Sequence, residues 1–166
     1  LWLEPGATEP AKMLERGFER VFGKKSARPA AKAALASDAH PFGGYPRWEI
    51  NDRWDTVSRR EPLARFIAEA RFCSRLAAVR PLPEPLRVSL EFRRYLAVRD
   101  VFVRRAARGL ATAAEGRAFA KELALGRKAA QAMWRFTRDR RKRGANGKIL
   151  AQDAARLSAW RRGRPV

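Results

Sequence analysis

The sequence predicts a mainly α-helical protein, a small irregular domain of four to five helices with an extended Pro/Gly-rich N-terminal segment. Two observations carry this. Alanine supplies 31 of the 166 residues and isoleucine three, a balance that favours helix, because alanine loses no side-chain freedom there while strands select β-branched residues. Apolar residues also recur at intervals of three and four over most of the second half, the spacing of one helical face.

Taken in order, the first helix is expected over 10–22. Thr8 and Glu9 precede Pro10, which suits a first turn where no backbone donor is needed. Met13, Leu14, Phe18, Val21 and Phe22 then share a face, and Gly23 is the stop. Residues 24–38 offer few large apolar side chains and read as a basic, Ala/Pro-rich tail lying along nucleic acid, or as a plain linker. The run His40-Pro41-Phe42-Gly43-Gly44-Tyr45-Pro46 continues as turns, with the whole of 24–47 expected to thread over a surface. Trp48 and Trp54, with Ile50, Glu49, Asp52 and Asp55 around them, form an aromatic and acidic hook. Such a pair either plugs into a protein neighbour, where Trp gives large contact area at small entropic cost, or caps the chain's own core. These features place a boundary between an N-terminal part, 1–57, and a helical domain, 58–166.

The second helix is expected over 59–79. Ser58 and Glu61 match a capping box, Pro62 follows in the first turn, and Leu63, Phe66, Ile67, Ala70 and Ala77 recur on one side. Three prolines between Pro81 and Pro85 make a rigid corner. The next helix, 85–108, carries Leu86, Leu90, Ala97 and Val101 on one stripe with Phe92, Tyr95, Phe102 and Ala106 beside it, so it should be buried on more than one side. Gly109 ends it. Thr112 and Glu115 form a second capping box, opening a helix expected over 113–142. Its seam is Phe119, Leu123, Gly126, Ala130, Met133 and Thr137, where Gly126 and Ala130 would let another helix approach closely. Gly144-Ala145-Asn146-Gly147 reads as a turn with Asn146 as cap, and the last helix, 147–162, turns Leu150, Ala154 and Leu157 inward with Ile149 and Trp160 flanking.

Charge narrows the function. Lysine and arginine total 37 against 17 acids, a formal net charge of +20, which exceeds any need of solubility and implies an acidic partner. The excess is lopsided, at +5 over 1–83 and +15 over 84–166. Arginine outnumbers lysine 29 to 8; its planar fork suits phosphate oxygens, although GC-rich coding also inflates Ala and Arg. Between Arg135 and Arg143 the residues Arg135, Arg138, Arg140, Arg141, Lys142 and Arg143 face a single acid, Asp139. With Lys148, Arg161, Arg162 and Arg164 they form the expected nucleic-acid-binding set, joined by Lys24, Lys25, Arg28 and Lys32 from the N-terminal tail. Arg117, Lys121, Arg127 and Lys128 extend the basic faces upstream. Trp134, Phe136 and Trp160 lie near these cations and either stack on bases or, as their spacing favours, face the core.

Other classes find little support. One Cys and one His cannot supply a disulfide framework within the chain or a Cys/His zinc site, and no metal or cofactor is expected. His40 lacks an identifiable acid–base partner, and Cys73 sits in a helix as a small apolar residue. Glu49, Asp52 and Asp55 have Arg47, Arg53, Arg59 and Arg60 as simpler partners than a divalent ion. The phosphate-binding Gly-rich loop, the nucleophile elbow and the C-x-x-C motif are all missing, so an enzyme is not expected. No stretch approaches a membrane span.

The expectation is therefore a structural RNA-binding protein of a large ribonucleoprotein, first of all a mitochondrial ribosome in the matrix, with rRNA and neighbouring proteins as partners. A start at Leu1 without Met is what removal of a targeting peptide would leave. Two alternatives are an accessory subunit of a respiratory membrane complex, resting basic faces on acidic lipid, and an architectural DNA-binding protein. The last two helices outline a helix-turn-helix, but 147–162 offers few base-reading side chains beyond Gln152, Arg156 and Ser158.

Overall fold

A computed structural model describes residues 10–38, 61–135 and 140–166, with side chains undescribed at 10, 37–38, 140–143 and 145–146. The described residues form six helices: α1 (Pro10–Phe22), α2 (Lys24–Asp38), α3 (Leu63–Ala77), α4 (Glu84–Ala106), α5 (Ala113–Met133) and α6 (Arg140–Arg161). No strand occurs among them. The mainly α class is thus observed, with one helix beyond the expected four to five.

That extra helix is α2, which replaces the expected tail or linker over 24–38. Gly23 adopts φ +82°, a left-handed conformation that ends α1 and lets the chain reverse at once into α2. Ala27, Ala30, Ala31 and Ala34 are buried against Leu14, Phe18 and Phe22 of α1. Small side chains are what allow the close approach, so a face read as having nothing to pack is the packed face. Val21, expected on the apolar side, is 70% exposed. Leu82 and Leu86 join the same cluster and tie the pair of helices to the start of α4.

α4 is the hub. It buries residues on all sides, from Leu86 and Val88 through Phe92, Tyr95 and Ala97 to Phe102. α3 covers one flank through Phe66 on Ala97 and through Cys73 and Ala77 on Leu90. α5 and α6 cover the other, where Phe119, Leu123, Ala130, Met133, Leu150 and Leu157 share one core with Phe92, Tyr95 and Phe102. Each such aromatic contributes roughly 1.5–3 kcal/mol by leaving water. α3 starts at Leu63 with Pro62 at the preceding cap position, so Pro62 flanks the first turn instead of lying in it, and Ile67 is 42% exposed. Ser58 lies outside the described residues.

The seam of α5 behaves as its spacing predicts. Thr112 and Glu115 form the reciprocal capping box, and Gly109 at φ +68° closes α4 with Leu110 N–H bonded back to the Arg105 carbonyl at 2.8 Å. Gly126 lies under the Tyr95 ring, and a Cβ there would stand 2.5 Å from its Cγ. Gly116 is likewise filled by Trp160, whose ring also meets Phe102 edge-on.

The C-terminal third departs from expectation. α5 ends at Met133, not 142, and α6 already begins at Arg140. The Gly144-to-Gly147 stretch lies inside α6, so it is neither a turn nor capped by Asn146. Neither glycine uses a positive φ. The reason is that Leu150, Leu157 and Asp153 anchor the helix on the core, and tertiary packing outweighs the ~1 kcal/mol that each interior glycine costs. The Gly-containing turn that the helix-turn-helix outline needed is therefore not formed at 144–147.

Candidate nucleic-acid interface

The charged side chains divide into two populations, and the division begins with the acids. At helix contacts nearly every described acid holds an arginine. Glu69, fully buried on α3, pairs with Arg93 of α4 and accepts from the Cys73 thiol. Arg94 bonds Glu122 at 2.9 Å and Arg105 bonds Glu115 at 2.8 Å, both joining α4 to α5. Glu61 and Glu91 take Arg65 and Arg87 within a turn.

The densest knot joins α4 to α6. Asp153, fully buried, accepts from the Tyr95 hydroxyl, from Arg99 Nε at 2.8 Å and from Arg156 at 2.9 Å. Burial works against the Arg99 charge, but the Asp153 and Asp100 carboxylates more than offset it and hold the guanidinium above its ordinary value. Burial first, then the Asp153 charge, pushes the Tyr95 hydroxyl up. The oxygens of Asp153 are already occupied by donors, so the knot fastens helices and offers no free base. Cys73 is similar: burial, then Glu69, raises its thiol far above ordinary, leaving it inert.

Sequence reasoning missed both knots. One signal was present: Asp153 falls three residues after Leu150 and four before Leu157, on the inward stripe.

The second population faces outward. Lys24, Lys25, Arg28 and Lys32 are all exposed, now on one face of a helix instead of a tail. Lys12, Arg16 and Arg20 of α1 are exposed beside them in sequence. On α5 the exposed cations Arg117, Lys121 and Lys128 follow spacings of four and seven, and Arg135 continues the line just past the helix end. This stripe lies opposite the buried seam of Gly116, Phe119, Leu123, Gly126 and Ala130. Among the described residues these four make no ion pair; Glu115 and Glu122 point to α4 instead. Lys148, Arg161, Arg162 and Arg164 are exposed on α6 and its end, with Arg162 also donating to Ser158 Oγ at 2.6 Å.

Arg140, Arg141, Lys142 and Arg143 form the first turn of α6; their side chains, and all of Arg138 and Phe136, lie outside the described residues. So do Trp48, Trp54, His40 and the acids around them. Trp134 and Trp160 pack against the core and do not form an open stacking platform.

A groove of about 240 Å³ runs between α3, α4 and α5, lined by Phe66, Ile67, Ala70, Val98, Val101 and Phe102 with Arg71 and Glu115 at its rim. It holds no histidine, cysteine or hydroxyl nucleophile. Among the described residues no cluster of three potential metal ligands occurs, and no helix is long and apolar enough to cross a membrane. No family model, curated protein or solved structure matches this chain.

Proposed function

We propose that this protein is a structural, RNA-binding component of a large ribonucleoprotein, and that a mitochondrial ribosome is the particle its composition fits best. The observation that carries the proposal is the segregation of charge. Four acids, Glu69, Glu115, Glu122 and Asp153, are committed to arginines at the helix contacts, while the described cations of α2, of the α5 stripe and of the end of α6 face outward without such partners. A phosphate lattice relieves that repulsion and releases its own counterions, which makes binding strong and salt-sensitive. In this reading the role is neutralisation and packing of RNA.

Co-sedimentation of the endogenous protein before and after ribonuclease treatment tests this. The protein should travel with a large particle and be released by the nuclease. Unchanged sedimentation after digestion would overturn the proposal, and retention on cardiolipin-rich vesicles with none on RNA would replace it with a membrane-surface role. Charge reversal of Arg140, Arg141 and Arg143 should abolish incorporation. Because acids at a helix N-terminus favour its dipole, helicity should hold or rise, which separates lost binding from lost folding.

A further inference from the structure

The RNA-binding reading leaves open which form of RNA lies against the chain, and the α5 stripe bears on that. Arg117, Lys121 and Lys128 stand along one line of a helix whose other side is locked onto α4, and Arg135 follows just past its end. At 1.5 Å per residue the helical part of the line, from Arg117 to Lys128, is about 17 Å long, and Arg135 lies beyond it. That exceeds the width of a duplex groove, which is about 12 Å for the B-form major groove. A rigid rod of this length laid across a duplex meets phosphates of both strands. A single strand has no fixed second row of phosphates for it to meet.

What surrounds the stripe points the same way. Single-strand binders combine cations with exposed aromatic rings on which the bases stack. Among the described residues the large hydrophobics that are exposed are Val21, Ile67 and Leu110, none of them aromatic. The two described tryptophans, Trp134 and Trp160, are packed on the core. Between the cations lie Ala124 and Gln131, both exposed and neither with a ring to stack on a base; Gln131 alone could reach a base edge. Among the described residues the stripe therefore offers cations at fixed spacing and no exposed aromatic ring on which an unstacked base could lie.

Resting on the RNA-binding reading, we infer that the α5 stripe of Arg117, Lys121, Lys128 and Arg135 docks on the sugar-phosphate backbone of double-helical RNA. Binding there is independent of sequence and is set by the shape of the duplex.

The test uses the full chain and three probes of equal length: a duplex RNA, an unstructured single-stranded RNA and a duplex DNA. Each is titrated over a range of salt, with wild type and with an Arg117→Ala, Lys121→Ala, Lys128→Ala variant. Duplex RNA should bind at least tenfold tighter than single-stranded RNA. The variant should lose about 0.9 per removed contact from the slope of log affinity against log salt, on the scale set by B-form DNA. All three sites are exposed, so its thermal melting should match wild type. Equal or tighter binding of the single strand would overturn the duplex inference and leave the RNA-binding reading standing. An unchanged salt slope in the variant would overturn the stripe as the docking surface. Failure to bind either RNA would overturn the RNA-binding reading itself, and so would preference for duplex DNA, although the stripe would then still be a duplex-docking surface.

Discussion

Replacing Gly144 and Gly147 by alanine asks directly whether α6 is continuous. Both glycines lie within Arg140–Arg161, neither has a positive φ, and a Cβ built on either meets nothing within 4 Å. No clash opposes the change. Each alanine should therefore stabilise by about 0.5–1 kcal/mol, through helix propensity and a less flexible unfolded chain. The pair together should give roughly 1–2 kcal/mol, or about 2–8 °C in Tm for a chain of this size. If 144–147 were instead a turn with left-handed glycines, as the bare sequence suggests, each Cβ would cost roughly 1–2 kcal/mol. The two readings differ in sign, so a thermal melt followed by far-UV circular dichroism decides between them. A double variant that melts below wild type would refute the continuous helix.

Gly126→Ala should go the other way. The new Cβ would stand 2.5 Å from Tyr95 Cγ, on a ring whose hydroxyl is held by Asp153. Overpacking of about 1–3 kcal/mol outweighs a propensity gain of about 1 kcal/mol, so the urea midpoint should fall, and an unchanged one contradicts the packing. Asp153→Asn keeps the shape but leaves Arg99 and Arg156 without their carboxylate. It should cost about 3 kcal/mol by denaturant titration, against about 0.5 kcal/mol for Glu91→Gln at a part-exposed pair. Glu115 is held below its ordinary pKa of 4.5, first by the Thr112 backbone N–H and then by the Thr112 hydroxyl and Arg105. A lowered folded pKa gives stability that is present above 4.5 and is lost as pH falls through the folded value. Wild type should therefore exceed Glu115→Gln, which keeps the capping geometry, above pH 4.5, and the two should converge on acidification. A gap that does not change with pH contradicts this assignment.

The legible parts of the sequence were those where local chemistry and packing agree. Thr112 and Glu115, Gly109, Gly126 and the Phe119-to-Met133 seam each mark a structural event by residue type alone. Where the two conflict, residue type misled. Gly144-Ala145-Asn146-Gly147 has turn chemistry, yet Leu150, Asp153 and Leu157 hold that stretch in a helix. Residues 24–38 lack bulky side chains and contain Pro29, yet four alanines pack on Phe18. For the candidate interface, the excess of cations was plain but its sorting was not. Which arginines are used up at helix contacts depends on Glu69, Glu122 and Asp153 sitting opposite Arg93, Arg94 and Arg99, pairings up to 54 residues apart in sequence.

That sorting bears on why the chain is so basic. If arginine richness came from coding bias alone, arginines would fall at buried and exposed positions without regard to acids. Four arginines at the helix contacts instead have carboxylates against them: Arg93 on Glu69, Arg94 on Glu122, Arg99 on Asp153 and Arg105 on Glu115. The pairings of Glu69 and Asp153 also take those acids off the surface, where they would have screened the exposed cations. Lysine gives an independent reading, because GC-rich coding depletes it. Exposure alone says little, since lysine is rarely buried. Placement says more. Lys121 and Lys128 share the line of Arg117 and Arg135, and Lys24, Lys25 and Lys32 share α2 with Arg28. Two residue types with opposite coding bias thus converge on the same faces, which carry no acid among the described side chains, as expected if the charge itself is what those faces are for. The proposed RNA partner supplies the opposite charge that the chain itself keeps at its helix contacts.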